Sequence, residues 1–552
     1  MSLSVSGLGF RACLNMEEEG LGVEELELAK ESSTLALEEW AGFGEGEKRC
    51  PQLGMNQRTG TAKRLTRRLG RPPSRGEGCC GVTSKGVGST SGRAQRSKNL
   101  LNPTWQHPLA PFSLRMIAGP SLNCYCLLFL FFLGDAGVEG SQKAAPEQIH
   151  LSYPGEAGCM TVTWTTWVPA ASEVQFGLQL GGVLPLRAQG TSSPFVDGGF
   201  LRRKLYMHRV TLRGLLPGVH YVYRCGSAQG WSRRFRFRAL QSGPNWSPRL
   251  AVFGDMGADN PQALPRLRRE TQQGMYDVVL HVGDFAYNMD QDNARVGDTF
   301  MRLIEPVAAS VPYMTCPGNH EERYNFSNYR ARFSMPGDTE GLWYSWDLGP
   351  AHIISFSTEV YFYLHYGRHL IQKQFRWLER DLQKANNNRA LRPWIITMGH
   401  RPMYCSNADL DDCTQHESKI RKGLSGSRYG LEDLFYKYGV DLQLWAHEHS
   451  YERLWPIYDY QVYNGSRESP YTNPRGPIHI ITGSAGCEEL LTPFAPFPRP
   501  WSAIRVKEYG FTRLHILNST HLHVQQVSDD QDGKIVDDVW LVRPRQGRRT
   551  YL

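Results

Sequence analysis

The sequence lacks an apolar run long enough to form an ordinary membrane span. A spanning helix needs roughly twenty such residues, whereas the conspicuous stretch LNCYCLLFLFFL at 122–133 stops after twelve. No solenoid-type repeat recurs along the chain, so a stacked-repeat architecture is not indicated. Cysteine is sparse, with 12 in 552 residues. Basic excess is also scarce outside one segment. The formal charge is +8, yet eleven Lys/Arg face a single acid, Glu77, between Arg58 and Lys98. The remainder therefore gives no reason to expect a nucleic-acid partner. What is present suits a globular protein of two to four domains: 40% hydrophobic and 21% charged residues can build a sizeable core.

The short apolar run has the make-up of a secretory signal. Arg115 precedes it, and Gly134, Ala136, Gly137 and Gly140 follow. Met116 stands directly after Arg115, so initiation there would place the run at an N-terminus. Residues 116–140 therefore read as signal-like. Residues 1–115, acidic and then Gly/Ser/Arg-rich, read as a disordered leader or as sequence absent from the mature protein. Six cysteines lie beyond the run: Cys159, Cys225, Cys316, Cys405, Cys413 and Cys487. An even number suits disulfides in an oxidising compartment, with Cys405–Cys413 the best single pair. Sequons at Asn245, Asn325, Asn464 and Asn518 agree with secretion. The expected destination is extracellular, with the lysosome as the alternative.

Residues 145–240 are strand-like. Met160–Trp164 alternates apolar and polar side chains, as a half-buried strand does. With Trp164 and the later Leu216-Pro217-Gly218-x-x-Tyr221, this region resembles a fibronectin III-like β-sandwich. It carries no clustered metal ligands, so it is expected to be structural or to serve as a docking surface. From 248 to 545 the pattern changes. Apolar strands end in polar, glycine-containing loops, and Ile371, Phe375, Leu378 and Leu382 make a helical stripe between them. That alternation predicts an α/β domain with a central sheet, whose ligands lie beyond the carboxyl ends of its strands.

Five clusters sit at those ends: Gly254-Asp255-x-Gly257, Gly283-Asp284-x-x-Tyr287, Gly318-Asn319-His320-Glu321, Gly399-His400 and His447-x-His449. Singly, each reads as a turn or a satisfied histidine. As an ordered set they resemble the purple acid phosphatases, of the long two-domain type within the calcineurin-like metallophosphoesterases. Tyr287 is the discriminating residue, because a tyrosine three places after the bridging aspartate marks the iron-containing branch. The resemblance implies a metallophosphoesterase-type α/β sandwich behind the small β domain. It implies Asp255, Tyr287 and His449 at an iron(III) site, Asn319, His400 and His447 at a divalent site for zinc, iron(II) or manganese, and Asp284 between them. Three formal negative charges suit the harder ion. The implied reaction is hydrolysis of phosphoric monoesters, small molecules or phosphorylated proteins, by a metal-activated hydroxide. Asn319 and His320 would contact substrate, His320 also protonating the leaving group.

Two departures stand out. Ala446 replaces the usual glycine before His447, and its small size predicts no loss of ligation. Asp409 and Asp411 occupy a stretch where plant members carry substrate-facing histidines, leaving His416 as the nearest candidate contact. Two rival functions remain open at this point. One is a phosphodiesterase or nucleotidase using the same centre. The other is a non-catalytic metal-binding interaction protein.

Overall fold

The computed structural model describes residues 143–424, 428–543, 547 and 549–551. The leader at 1–115 and the signal-like segment at 116–140 lie outside the described residues. Among the described residues no helix is long and apolar enough to cross a membrane.

The first part is all-β. One sheet takes the order Glu147–Ser152, Met160–Thr166, Lys204–Leu212, Thr191–Val196. The other runs Leu186–Gln189, Glu173–Leu178, His220–Ser227, Gly230–Trp231, with Phe235–Arg238 also pairing to His220–Ser227. Trp164 is fully buried between the sheets and stacks on His208 at a centroid distance of 5.0 Å. The Leu-Pro-Gly turn closes as its sequence implies: the Leu216 N–H donates to the Tyr221 hydroxyl at 2.9 Å.

The alternation in Met160–Thr166 does not give a half-buried strand. All seven residues are buried. The threonine face is covered because this sheet packs against the second part of the chain, through the helix Gln291–Ala308. Thr165 donates to Gln148, whose side chain bonds Asp298 at 3.3 Å. Asp298 is also held by Arg332 at 3.0 Å and Arg203 at 2.6 Å. Asp298 and Arg332 are each about 1% exposed, so removing Asp298 would leave the Arg332 guanidinium as an uncompensated buried charge.

The second part contains two mixed sheets rather than one central sheet. The first has the order Tyr313–Cys316, Val278–Val282, Arg249–Phe253, Gly510–Ile516, His521–Ser528, Lys534–Val542. The second has the order Tyr344–Leu348, Ala351–Ser355, Trp394–Met398, Leu442–Trp445, Ile478–Thr482, Tyr451–Leu454, Ser502–Val506. Their inner faces share one core, including Leu250, Val252, Leu280, Ile396, Leu444 and Ile480. Helices cover the outer faces. Ile371, Leu378 and Leu382 of the helix His369–Asn387 are buried, while Phe375 is packed at its margin. Strands covered on both sides need near-continuous apolar sequence, and Val278–Val282 supplies it with VVLHV, every residue buried. Parallel pairing within each sheet sends several carboxyl ends to a shared edge.

Candidate metal centre

The polar clusters occupy that edge. Asp255 follows Arg249–Phe253, Asp284 and Tyr287 follow Val278–Val282, and Asn319 and His320 open a short turn after Tyr313–Cys316. From the second sheet, His400 follows Trp394–Met398, while His447 and His449 follow Leu442–Trp445. The chain turns sharply to aim these groups inward. Asp255, Asp284, Tyr287 and His447 take positive φ values of 58°, 52°, 49° and 71°. Non-glycine residues reach this region only when surrounding contacts hold them there.

Glu321 provides much of that hold. Its Oε2 accepts from the N–H groups of Asp284 and Gly318, and its Oε1 from the N–H of Phe285, each at 2.9 Å. It thereby ties two ligand-bearing loops into one unit. Gly318 is needed for the approach, since a Cβ there would lie 2.2 Å from Asp284 Oδ1. Ala446 is accommodated in a related way. Its methyl faces Gly254, where a Cβ would come within 2.3 Å of it.

All seven expected donors are brought together. Tyr287 Oη lies 3.1 Å from Asp255 Oδ1 and 3.0 Å from His449 Nε2. His400 Nε2 lies 3.0 Å from Asp284 Oδ2, 3.2 Å from Asn319 Oδ1 and 3.2 Å from His447 Nδ1. The imidazoles are oriented from behind. His400 Nδ1 faces the Val282 carbonyl at 2.8 Å, and His449 Nδ1 faces the Leu490 carbonyl at 2.9 Å. His447 Nε2 faces the Asp411 carboxylate at 2.7 Å. A carbonyl or carboxylate calls for an N–H, which leaves the opposite nitrogen's lone pair turned inward. The inward ring nitrogens meet one another and carboxylate, amide and phenol oxygens, so the arrangement suits a cation among them.

The electrostatics point the same way. Burial raises Asp255 well above the usual carboxylate range, with Asp284 adding to the effect and His400 opposing it. Burial would raise Asp284 too, but His400 and His320 outweigh it and hold the group low. Burial works against charge on His400, yet Asp284 pushes it up to about 10. The Tyr287 phenol is raised well above its ordinary value by burial and by Asp255 and Asp284. Protons therefore serve as counter-charges in this cleft, and cations there would take over that role. Two carboxylates, a phenol, an amide and three imidazoles are a fitting donor set for hard and borderline ions.

His320 stands at the side of the cluster. Its N–H donates to Asp284 Oδ1 at 2.9 Å, and its ring lies 4.3 Å from that of Tyr287. Nδ1 is 2.5 Å from Asn288 Oδ1, and Nε2 is 3.7 Å from Glu489. His416 is not brought to the cluster. Its side chain is 72% exposed, sits 2.9 Å from Glu417 and stacks on Tyr460. Sequence reasoning assigned no role to Glu321, Asn288, Arg401 or Glu489. Glu321 could have been noticed as the last residue of the Gly-Asn-His-Glu cluster. Nothing in the sequence places Glu489 here.

Comparison with known proteins gives three family matches in chain order. Residues 146–239 match the N-terminal domain of purple acid phosphatase. Residues 248–451 match the calcineurin-like phosphoesterases, and residues 476–538 match the iron/zinc purple acid phosphatase-like protein C region. The chain is 85% identical over 430 residues to acid phosphatase type 7 of Homo sapiens, spanning 78% of this chain and 98% of that protein. It is 30% identical over 435 residues to Fe(3+)-Zn(2+) purple acid phosphatase 12 of Arabidopsis thaliana, spanning 74% and 87%. It also resembles the solved structure of a purple acid phosphatase from yellow lupin seeds, with a TM-score of 0.61 and 25% identity, covering 72% of this chain and 75% of that one.

Glu321→Ala should leave three buried N–H groups without their acceptor. We expect a loss of stability on the order of 3 kcal/mol or more, measured by denaturant unfolding. Unchanged stability would mean that Glu321 does not organise these loops.

Proposed function

Because the chain belongs to the purple acid phosphatases, we propose that it hydrolyses phosphoric monoesters in acid at this cluster, with iron and a divalent metal as cofactors. The convergence of the inward ring nitrogens of His400, His447 and His449 on one another and on oxygens of Asp284, Asn319 and Tyr287 carries this reading. Asp255, Tyr287 and His449 would hold trivalent iron. Asn319, His400 and His447 would hold the divalent ion, and Asp284 would reach both. When bound, such a pair polarises a phosphoryl group and makes water a usable nucleophile at low pH.

The chain's own residues supply the rest. The buried outer partners of His400 and His449 fix ring orientation, so the donors are in place before substrate arrives. The His320 backbone N–H holds Asp284 Oδ1. Asn288 orients the His320 ring by its Nδ1, which leaves Nε2 at the side of the cleft. From there His320 binds a phosphate oxygen and, as an imidazolium, gives a proton from Nε2 to the departing alcohol oxygen. Substrate is a small phosphate monoester or a phosphorylated protein, and His416 has no part in binding it.

We also propose secretion. The Cys405–Cys413 disulfide supports it, as do the exposed sequon residues Asn245 and Asn518. N-terminal sequencing of secreted protein should begin after residue 134. Recovery of residues 1–115 would contradict initiation at Met116.

Two further outcomes test the chemistry. Purified protein should cleave para-nitrophenyl phosphate at pH 5 far faster than its bis-ester, and the reverse preference would identify a diesterase. Tyr287→Phe should abolish the visible phenolate-to-iron absorption. An unchanged spectrum would remove iron from the Tyr287 side.

A further inference from the structure

A second layer surrounds His447 that the five sequence clusters do not include. Asp411 Oδ2 lies 2.7 Å from His447 Nε2 and 3.3 Å from an Arg401 guanidinium nitrogen. Arg401 is itself held by Glu359 at 3.1 Å and lies 4.4 Å over the Phe362 ring. Arg401 Nη1 also lies 2.8 Å from His447 Nε2; a guanidinium only donates, so with hydrogen on Nε2 the two N–H edges cannot bond each other and Asp411 is the acceptor open to both.

Asp411 is not on a free loop. It lies between Cys405 and Cys413, which are joined by a disulfide. The Ala408 N–H donates to the Pro493 carbonyl, and the Ala495 N–H to that of Ser406, both at 2.9 Å. The Asp411 carbonyl accepts from the Thr414 N–H at 3.0 Å and its hydroxyl at 2.7 Å. The Cys413 sulfur rests 3.0 Å from a carboxyl oxygen of Glu448, the residue between His447 and His449. The loop thus meets the His-x-His segment at two points, the Asp411 carboxylate bonded to His447 and the Cys413 sulfur packed against Glu448.

We propose that Asp411 is a positioning residue for His447, and through it a determinant of affinity at the divalent half of the centre. Its carboxylate accepts a hydrogen bond from the Nε2–H of His447 and keeps Nδ1 free, facing His400 Nε2 at 3.2 Å. A carboxylate behind a ligating imidazole orients the ring and makes it a better donor. Arg401 pairs with the same carboxylate and, anchored by Glu359, keeps it from swinging into the cleft. The disulfide limits the movement of the backbone that carries it. This inference rests on the function proposed above, since it presumes that His447 holds a divalent ion.

The test is metal affinity rather than turnover. Full-length secreted holoenzyme would be prepared as wild type, Asp411→Asn and Asp411→Ala. Zinc affinity would be read by chelator competition, iron by the visible band, and folding by thermal unfolding. Asp411→Ala should weaken zinc by about 10–100-fold with the iron band retained. Asp411→Asn should fall between, because its amide oxygen can still accept from Nε2 but carries no charge. Zinc affinity equal to wild type in Asp411→Ala would overturn the proposal. Parallel loss of both metals and of thermal stability would also overturn it, marking Asp411 as a general scaffold residue. A wild-type protein that holds iron but no divalent ion would instead sink the reading on which the proposal rests.

Discussion

Two carboxylates, a phenol and three imidazoles share one buried cleft, and the rest of the structure is arranged around that constraint. Burying a single unpaired ion costs several kcal/mol even after relaxation. Here Asp255, Asp284 and His400 are each about 1% exposed or less. Left to themselves these groups share protons, and the opposite displacement of Asp255 and Asp284 reflects that. With cations in place the same acceptors become the stabilising element. Ligand binding and local stability are then linked, because a species that binds only the folded site stabilises it.

The fold meets this constraint by drawing donors from both sheets. Asp255, Asp284, Tyr287 and Asn319 come from the first, and His400, His447 and His449 from the second. A shift between the sheets would therefore pull the two groups apart. The shared apolar core between them resists such a shift. Within the first sheet, Glu321 binds the loops after two neighbouring strands to one carboxylate. Within the second, the Asp411 loop is fastened against the His-x-His segment. The β-sandwich braces the same domain from outside through Gln148 and Arg203, which reach Asp298 and Arg332.

Much of the site was legible in the sequence because ligand types recur after apolar strands, and parallel strands bring such ends to one edge. The clusters that hold Asp255 through His449 could be found for that reason, and their roles as donors followed from the family resemblance. What periodicity could not show was which partner covers a strand. Met160–Thr166 alternates as if one face met water, but its threonines meet another layer of protein. Periodicity suggested a central sheet, whereas the two packed sheets are the α/β sandwich that the family resemblance implied. Apolar strands reveal that both faces are covered, not whether helices or a second sheet cover them. His416 was chosen for proximity in sequence to His400, yet the loop turns it to the surface beside Tyr460. Asp411, in the same loop, points inward. Five residues of separation reverse direction easily in a loop, and no pattern in the sequence records the turn.

Anomalous diffraction at the iron and zinc edges, from crystals of the purified protein, tests the central claim most directly. Two separate peaks are expected, iron beside Asp255, Tyr287 and His449, and the divalent ion beside Asn319, His400 and His447, with Asp284 adjacent to both. A single peak, or none among these seven side chains, would contradict a two-metal centre.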